Sequence, residues 1–203
     1  MVELTRLSGQ ELAEYLPEVA RLRIKVFKDY PYLYDGNLDY EKNYLNTYSR
    51  SAGSVVVLAI DHGRVVGAST AIPMAHETQE FAQPLKRAGY DVNRVFYLAE
   101  SVLLAEYRGK GIGVEFFTHR EAHARSIGGF DHFCFCSVQR PDNHPHRPSE
   151  YKTLDGFWKK RGYARQDKLL AHYAWKDIGE TEESIKPLVF WMKTAVANVE
   201  SGL

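Results

Sequence analysis

The chain has 203 residues, 44% hydrophobic and 26% charged, enough apolar material for one well-filled globular domain of ordinary size. Its 26 basic and 26 acidic residues cancel. No overall cationic field remains to neutralise a phosphate backbone or hold the protein on anionic lipid, which argues against nucleic acid and membrane partners.

Residues 2–6 alternate like an edge strand, and Met1 to Arg6 lack the basic-then-apolar pattern of a secretory leader. No stretch reaches about 18 consecutive apolar residues, so a soluble cytoplasmic protein is expected. Ser8 and Glu11 have capping-box spacing and predict a short helix before Pro17, a residue suited to the first turn of the next helix. Val19, Leu22, Val26 and Phe27 recur at helical spacing, and a second helix is expected over 39–48. Between them the aromatic loop Tyr30-Pro31-Tyr32-Leu33-Tyr34 reads equally as a substrate wall or a lid over the core.

Two β-rich runs, 54–60 and 64–72, flank the hairpin signal Asp61-His62-Gly63. An inserted helix is expected over 77–88, a strong strand over 95–104, a helix over 111–126 and a strand over 131–138. Tyr151 to Arg161 reads as a helix, 169–175 as a strand, and Leu188, Met192, Ala195 and Val199 predict a closing helix at about 183–199. The order is that of a mixed α/β protein in a single domain spanning 1–203.

Cys134 and Cys136 share one face of their strand, and with no further ligand at metal spacing they read as buried reduced thiols. His119 and His123 have the spacing of a zinc pair but lack a third ligand, so they are read as surface residues and no metal is expected.

The densest signal is Tyr107-Arg108-Gly109-Lys110-Gly111-Ile112-Gly113, set between an apolar strand and a helix. Glycines let the backbone approach an anion, and the first N–H groups of a helix have no partners of their own. A pyrophosphate would satisfy them, aided by the helix dipole and by Arg108 and Lys110. The spacing matches neither the phosphate loop of nucleotide hydrolases nor the dinucleotide fingerprint. It resembles instead the acetyl-CoA motif of the GNAT superfamily of N-acetyltransferases, Arg/Gln-x-x-Gly-x-Gly/Ala, met by Arg108, Gly111 and Gly113. The strand Leu98 to Leu104 and the segment Phe157-Trp158-Lys159-Lys160-Arg161-Gly162-Tyr163 are similar to flanking elements of that family.

The resemblance implies a central, mostly antiparallel twisted sheet splayed at its middle strands and flanked by helices. It implies acetyl-CoA as cosubstrate, held by the backbone of Leu103 and Leu104 and by the turn Arg108, Gly109, Lys110, Gly111, Ile112, Gly113 and Val114. It also implies transfer of the acetyl group by direct attack of a primary amine of a small molecule, amino acid derivative or peptide. A non-catalytic acyl-CoA-binding or interaction module of the same fold is the alternative, and a homodimer is left open.

An alkylammonium near pKa ~10 must lose a proton before it can attack. Glu100, the acid within the apolar central strand, is the expected base, or else a carboxylate that orients substrate. The late-helix tyrosine that serves the family as proton donor is matched by Trp158, which cannot fill that role. Tyr151, seven residues earlier on the expected helix and thus about 10 Å away, is the remaining catalytic candidate, with a water or no dedicated acid as the alternative. The polar stretch Arg140 to Pro148 is expected to approach the cleft together with the aromatic loop and the inserted helix.

Overall fold

A computed structural model describes residues 1–195. Seven strands form one sheet in the order β1-β2-β3-β4-β5-β7-β6: β1 (Glu3–Leu7), β2 (Val55–Asp61), β3 (Arg64–Pro73), β4 (Val95–Leu103), β5 (His132–Val138), β6 (Ala164–Trp175) and β7 (Ser184–Thr194). Every neighbouring pair is antiparallel except β4 with β5. The helices are α1 (Leu16–Phe27), α2 (Leu38–Arg50), α3 (Gln79–Arg87), α4 (Ile112–Ile127) and α5 (Asp155–Lys159).

Local chemistry accounts for the starts and turns. Pro17 occupies the first turn of α1. The Asn37 side chain accepts the N–H groups of Asp39 and Tyr40 at 2.9 and 3.1 Å, capping α2. His62 and Gly63 have φ of 49° and 77°, the two left-handed residues that a tight hairpin between β2 and β3 requires. Helices cover both faces of the sheet: Phe96 meets Phe130 and the His123 ring of α4, while its neighbour Tyr97 points the other way, onto Phe81 of α3.

Two expected helices differ. The segment expected to close the chain as a helix is β7 through Thr194, and residues 196–199 lie outside the described residues. Leu188, Val189, Phe190, Trp191 and Met192 are all buried because β7 lies between β5 and β6. A strand covered on both faces reads as a continuous apolar run, within which helical spacing is found by coincidence. The helix expected from Tyr151 begins only at Asp155, leaving Tyr151 in the preceding coil.

The central strands part company early. β4 pairs with β5 only through Val95, Phe96 and Tyr97, opposite His132, Phe133 and Cys134. On its other edge β4 carries an extra residue, the register passing from Ile72 opposite Tyr97 to Thr70 opposite Glu100. Arg120 of α4, 1% exposed, fixes this bulge from behind. It donates from Nη1 to the carbonyls of Thr70 and Glu100 at 3.2 and 3.0 Å, and from Nε to Phe116 at 3.1 Å. Burial lowers its pKa to about 10, so it remains a cation at neutral pH.

Candidate active site

The turn before α4 is built from backbone. Gly109 and Gly111 have φ of 77° and 85°, and a Cβ on either would meet open space, so conformation and not crowding requires glycine. Gly113 serves differently: a Cβ there would lie 3.4 Å from the Phe157 ring, so its smallness lets α5 pack against α4. The amides of Gly109, Lys110, Gly111, Ile112 and Gly113 have no acceptor among the described residues, whereas Val114 N–H bonds to Gly111 at 2.8 Å. Successive free amides at a helix start form an anion cradle. Arg108 stands beside it with Nε donating to the Leu103 carbonyl at 3.2 Å, and Lys110 lies over the Tyr107 ring.

A cavity of about 80 Å³ opens where β4 and β5 separate, reaching Ala99 and Cys136. Aromatic rings from α1, the loop after it, α2, α3 and β6 make most of its wall, among them Phe27, Tyr32, Tyr44, Phe81 and Tyr173. The aromatic loop is fastened at its backbone. Arg140 donates to the carbonyls of Pro31 and Tyr32, both at 2.8 Å, and pairs with Asp177 at 2.7 Å, while Trp175 Nε1 adds a bond to Tyr32 at 3.1 Å. Tyr40 and Tyr173 join hydroxyls at 2.7 Å between α2 and β6. The charged part of the wall is a buried triad in which the Arg23 guanidinium pairs with both Glu41 and Glu100.

The sequence profile of the acetyltransferase (GNAT) family matches residues 16–148, well over half of the chain. The chain belongs to this family. Comparison with curated proteins returns no match. Among solved structures it is similar to a ribosomal-protein-alanine N-acetyltransferase from Brucella melitensis, with 14% identity, TM-score 0.59 and coverage of 94% of this chain and 99% of that one. An aminoglycoside 6'-N-acetyltransferase complexed with coenzyme A gives 15% identity, TM-score 0.58 and coverage of 96% and 97%. The PaiA N-acetyltransferase from Thermoplasma acidophilum, in complex with coenzyme A, gives 14%, 0.56 and coverage of 96% and 99%. At these identities the likeness is one of fold: a mixed α/β sheet flanked by helices.

Within this GNAT domain the residues singled out from sequence separate into groups. Arg108 to Val114 lie together at the α4 turn. Leu103 ends β4, whereas the Leu104 N–H is already donated to Val66 at 3.0 Å. By antiparallel alternation Leu103 and Ser101 turn their N–H and C=O groups toward the gap, so Ser101 belongs with Leu103 and the Leu104 amide does not. Glu100 does line the cavity, but its setting is not simply apolar, since the Arg23 guanidinium lies against it. Tyr151 is outside the wall, packed edge-on to Tyr30 at 4.7 Å with Arg147 over its ring. Trp158 stacks into Phe135 and Trp191 at 5.1 and 5.0 Å, a packing role.

Cys134 and Cys136 are buried free thiols, and burial raises both. His123 is half-buried with Nε2 at 3.1 Å from the Gly53 carbonyl, contrary to the expected surface position. Among the described residues no helix is long and apolar enough to cross a membrane, and no cluster of three metal-ligating side chains occurs. Arg23, Glu41 and Glu77 are functional candidates that only the structure reveals. No motif marks them, and their importance arises only from side chains brought in from other elements.

Proposed function

We propose that this GNAT chain transfers an acetyl group from acetyl-CoA to the primary amine of a small molecule with a largely apolar body. One juxtaposition carries the reading: the cavity ends within two residues of the last β4–β5 pair, Tyr97 and Cys134. An amine held there adjoins the gap into which Ser101 and Leu103 turn their backbone groups. The residues fit the cosubstrate. The unpartnered amides of Gly109 to Gly113, with Arg108, Lys110 and Val114 beside them, would hold a pyrophosphate, and the backbone of Leu103 and Ser101 would hold an amide-bearing arm. When bound, acetyl-CoA supplies the activated acetyl group.

The acceptor arrives as an ammonium, because an alkylamine of pKa ~10 is protonated at neutral pH. Aromatic faces favour such a cation. The charged wall does too: Glu41 and Glu100 share the single guanidinium of Arg23, a net charge of one negative. A carboxylate on the acceptor would instead face Glu41 and Glu100 across the same wall, an unfavourable meeting of like charges away from water. Glu100, the carboxylate on the strand bordering the gap, is the group that holds the ammonium. Tyr151 is not among the residues that line the cavity and receives no role in proton transfer.

Thiol release from acetyl-CoA across an amine panel tests the reading. Alkyl- and arylalkyl-monoamines are expected to turn over fastest, ahead of amino acids, an alanine-initiated peptide and an aminoglycoside. Acetyl-CoA that raises the melting temperature yet releases no thiol with any amine would establish the non-catalytic acyl-CoA module instead.

A further inference from the structure

Behind the cavity wall lies a carboxylate that packing does not explain. Glu77 follows the short 3-10 turn Met74–His76 at the end of β3 and is 6% exposed. Its Oε1 accepts the Thr78 N–H at 3.0 Å, while Oε2 is buried with no hydrogen-bond partner among the described residues. The nearby cation, Arg23, is engaged by Glu41 and Glu100. A buried anion left with one hydrogen bond is costly, and a glutamine would fill the same space at lower cost.

A path of hydroxyls joins Glu77 to the cavity. Tyr44 lines the wall and its hydroxyl lies 3.0 Å from that of Tyr48, which is fully buried. The Tyr48 hydroxyl faces the Glu77 carboxylate, near enough to favour its charged form but outside the geometry of a formed bond. Thr70 Oγ1, also buried without a partner, influences the same hydroxyl.

We propose that Glu77 is the terminal acceptor of the proton lost by the substrate ammonium, reached through Tyr44 and Tyr48. This rests on the cavity being the acceptor-amine site. An N–H bond of the ammonium breaks and its proton passes to the Tyr44 oxygen. The Tyr44 proton passes to Tyr48, and the Tyr48 proton to Glu77 Oε2. The nitrogen keeps its electron pair, both phenols are restored and Glu77 becomes a neutral acid. One positive and one negative charge vanish from a weakly polarisable interior, so the transfer is favoured there.

The electrostatics suit that role. Burial raises Glu77 to about 6, opposed by the Thr78 amide, the Tyr48 hydroxyl and Arg23 of α1, and supported by Glu80 of α3. A base in this range is ionised at neutral pH yet able to take a proton. The other titratable groups under its field are Tyr44 and Tyr48 of α2, Tyr97 of β4, Cys136 of β5 and Tyr173 of β6. All of them are raised chiefly by burial, and the Glu77 charge adds to that, so the hydroxyls stay neutral and can relay a proton without ionising.

The test compares the full-length wild type with Glu77→Gln and Tyr48→Phe over pH 5 to 10, using the best monoamine of the panel. Both variants are expected to lose about 10²-fold in kcat at pH 7, with amine KM changed little and the deficit shrinking at alkaline pH as solvent deprotonates the amine. The acid limb of the wild-type profile near pH 6 should vanish in Glu77→Gln. Without any ligand, a Glu77 carboxyl band in the infrared difference spectrum of wild type minus Glu77→Gln should titrate near pH 6. A wild-type rate and acid limb in Glu77→Gln overturn the proposal. So does a normal Tyr48→Phe beside an impaired Glu77→Gln, since the relay would be bypassed. A wild type inactive toward every amine overturns the functional reading itself, which separates the two failures. A melting temperature no lower than wild type in Glu77→Gln shows that its loss of rate is not a loss of fold.

Discussion

The turn before α4 and the cavity under α1 and α2 both adjoin the gap between β4 and β5, yet they are made in opposite ways. The turn is one run of consecutive residues presenting N–H groups, and its side chains mostly point away. The cavity is almost entirely side chains, drawn from four helical or loop segments and four strands. A backbone site fixes what kind of chemical group binds while saying little about shape. A side-chain site fixes shape, and can be rebuilt for another acceptor without disturbing the anion cradle.

The largest loss is expected at Gly111. Valine there must adopt a left-handed conformation, at about 1–2 kcal/mol, or abandon the turn and with it charged hydrogen bonds worth ~1.5–3 kcal/mol each. Acetyl-CoA affinity measured by calorimetry is expected to fall at least ~10²-fold in Gly111→Val, with amine-side residues unaffected in the fold.

Glu100→Gln sharpens the other half. It should lower kcat/KM for the amine by about 10–10²-fold, mostly through KM, because a charged partner of the ammonium is removed. Acetyl-CoA affinity should be unchanged, and the loss should fall on amine KM, whereas that of the Glu77 variant falls on kcat. A loss confined to kcat, with amine KM unchanged, would mean that Glu100 itself takes the proton.

A pH-dependent stability follows from Glu77. Its folded pKa of about 6 exceeds the free value of 4.5, so the folded protein binds the proton more tightly. The stabilisation is complete below pH 4.5 and is lost as pH rises through 6. Denaturant titrations should show wild type losing about 2 kcal/mol relative to Glu77→Gln between pH 4.5 and 7.

The smallest effect is expected at the loop. Lysine in place of Arg140 cannot reproduce a planar fork that serves two carbonyls and Asp177 together. Loosening Tyr32 in this way should raise amine KM about five- to tenfold, a change of ~1–1.4 kcal/mol, and leave acetyl-CoA affinity alone.

The same contrast explains what the sequence made legible. Strands β2 to β5, helix α4 and the glycine turn could be read because their signals are local: alternation, a hairpin pair, glycines before an amphipathic run. The β7 segment carries helical spacing in the sequence because burial on both faces erases the period that distinguishes strand from helix. The position of Tyr151 before α5 is not legible because α5 is a short helix of Asp155–Lys159, too brief for its start to be marked by spacing. Arg23, Glu41 and Glu77 could not be found from their neighbours in sequence. What makes each unusual is a partner, or the lack of one, many residues away.

Arg120 gives α4 a second function beyond presenting amides. It sits eight residues beyond Ile112, where the helix begins, so about 12 Å of rigid rod separates the anion cradle from the bulge that Arg120 holds in β4. A helix does not stretch, so the length of this interval is fixed. The interval therefore works as a ruler. On the proposed reading, an acyl donor anchored by its anion would need an arm of about this length to bring its reactive carbon to the mouth of the cavity, and the helix would select donors by reach, independently of what the cavity selects by shape.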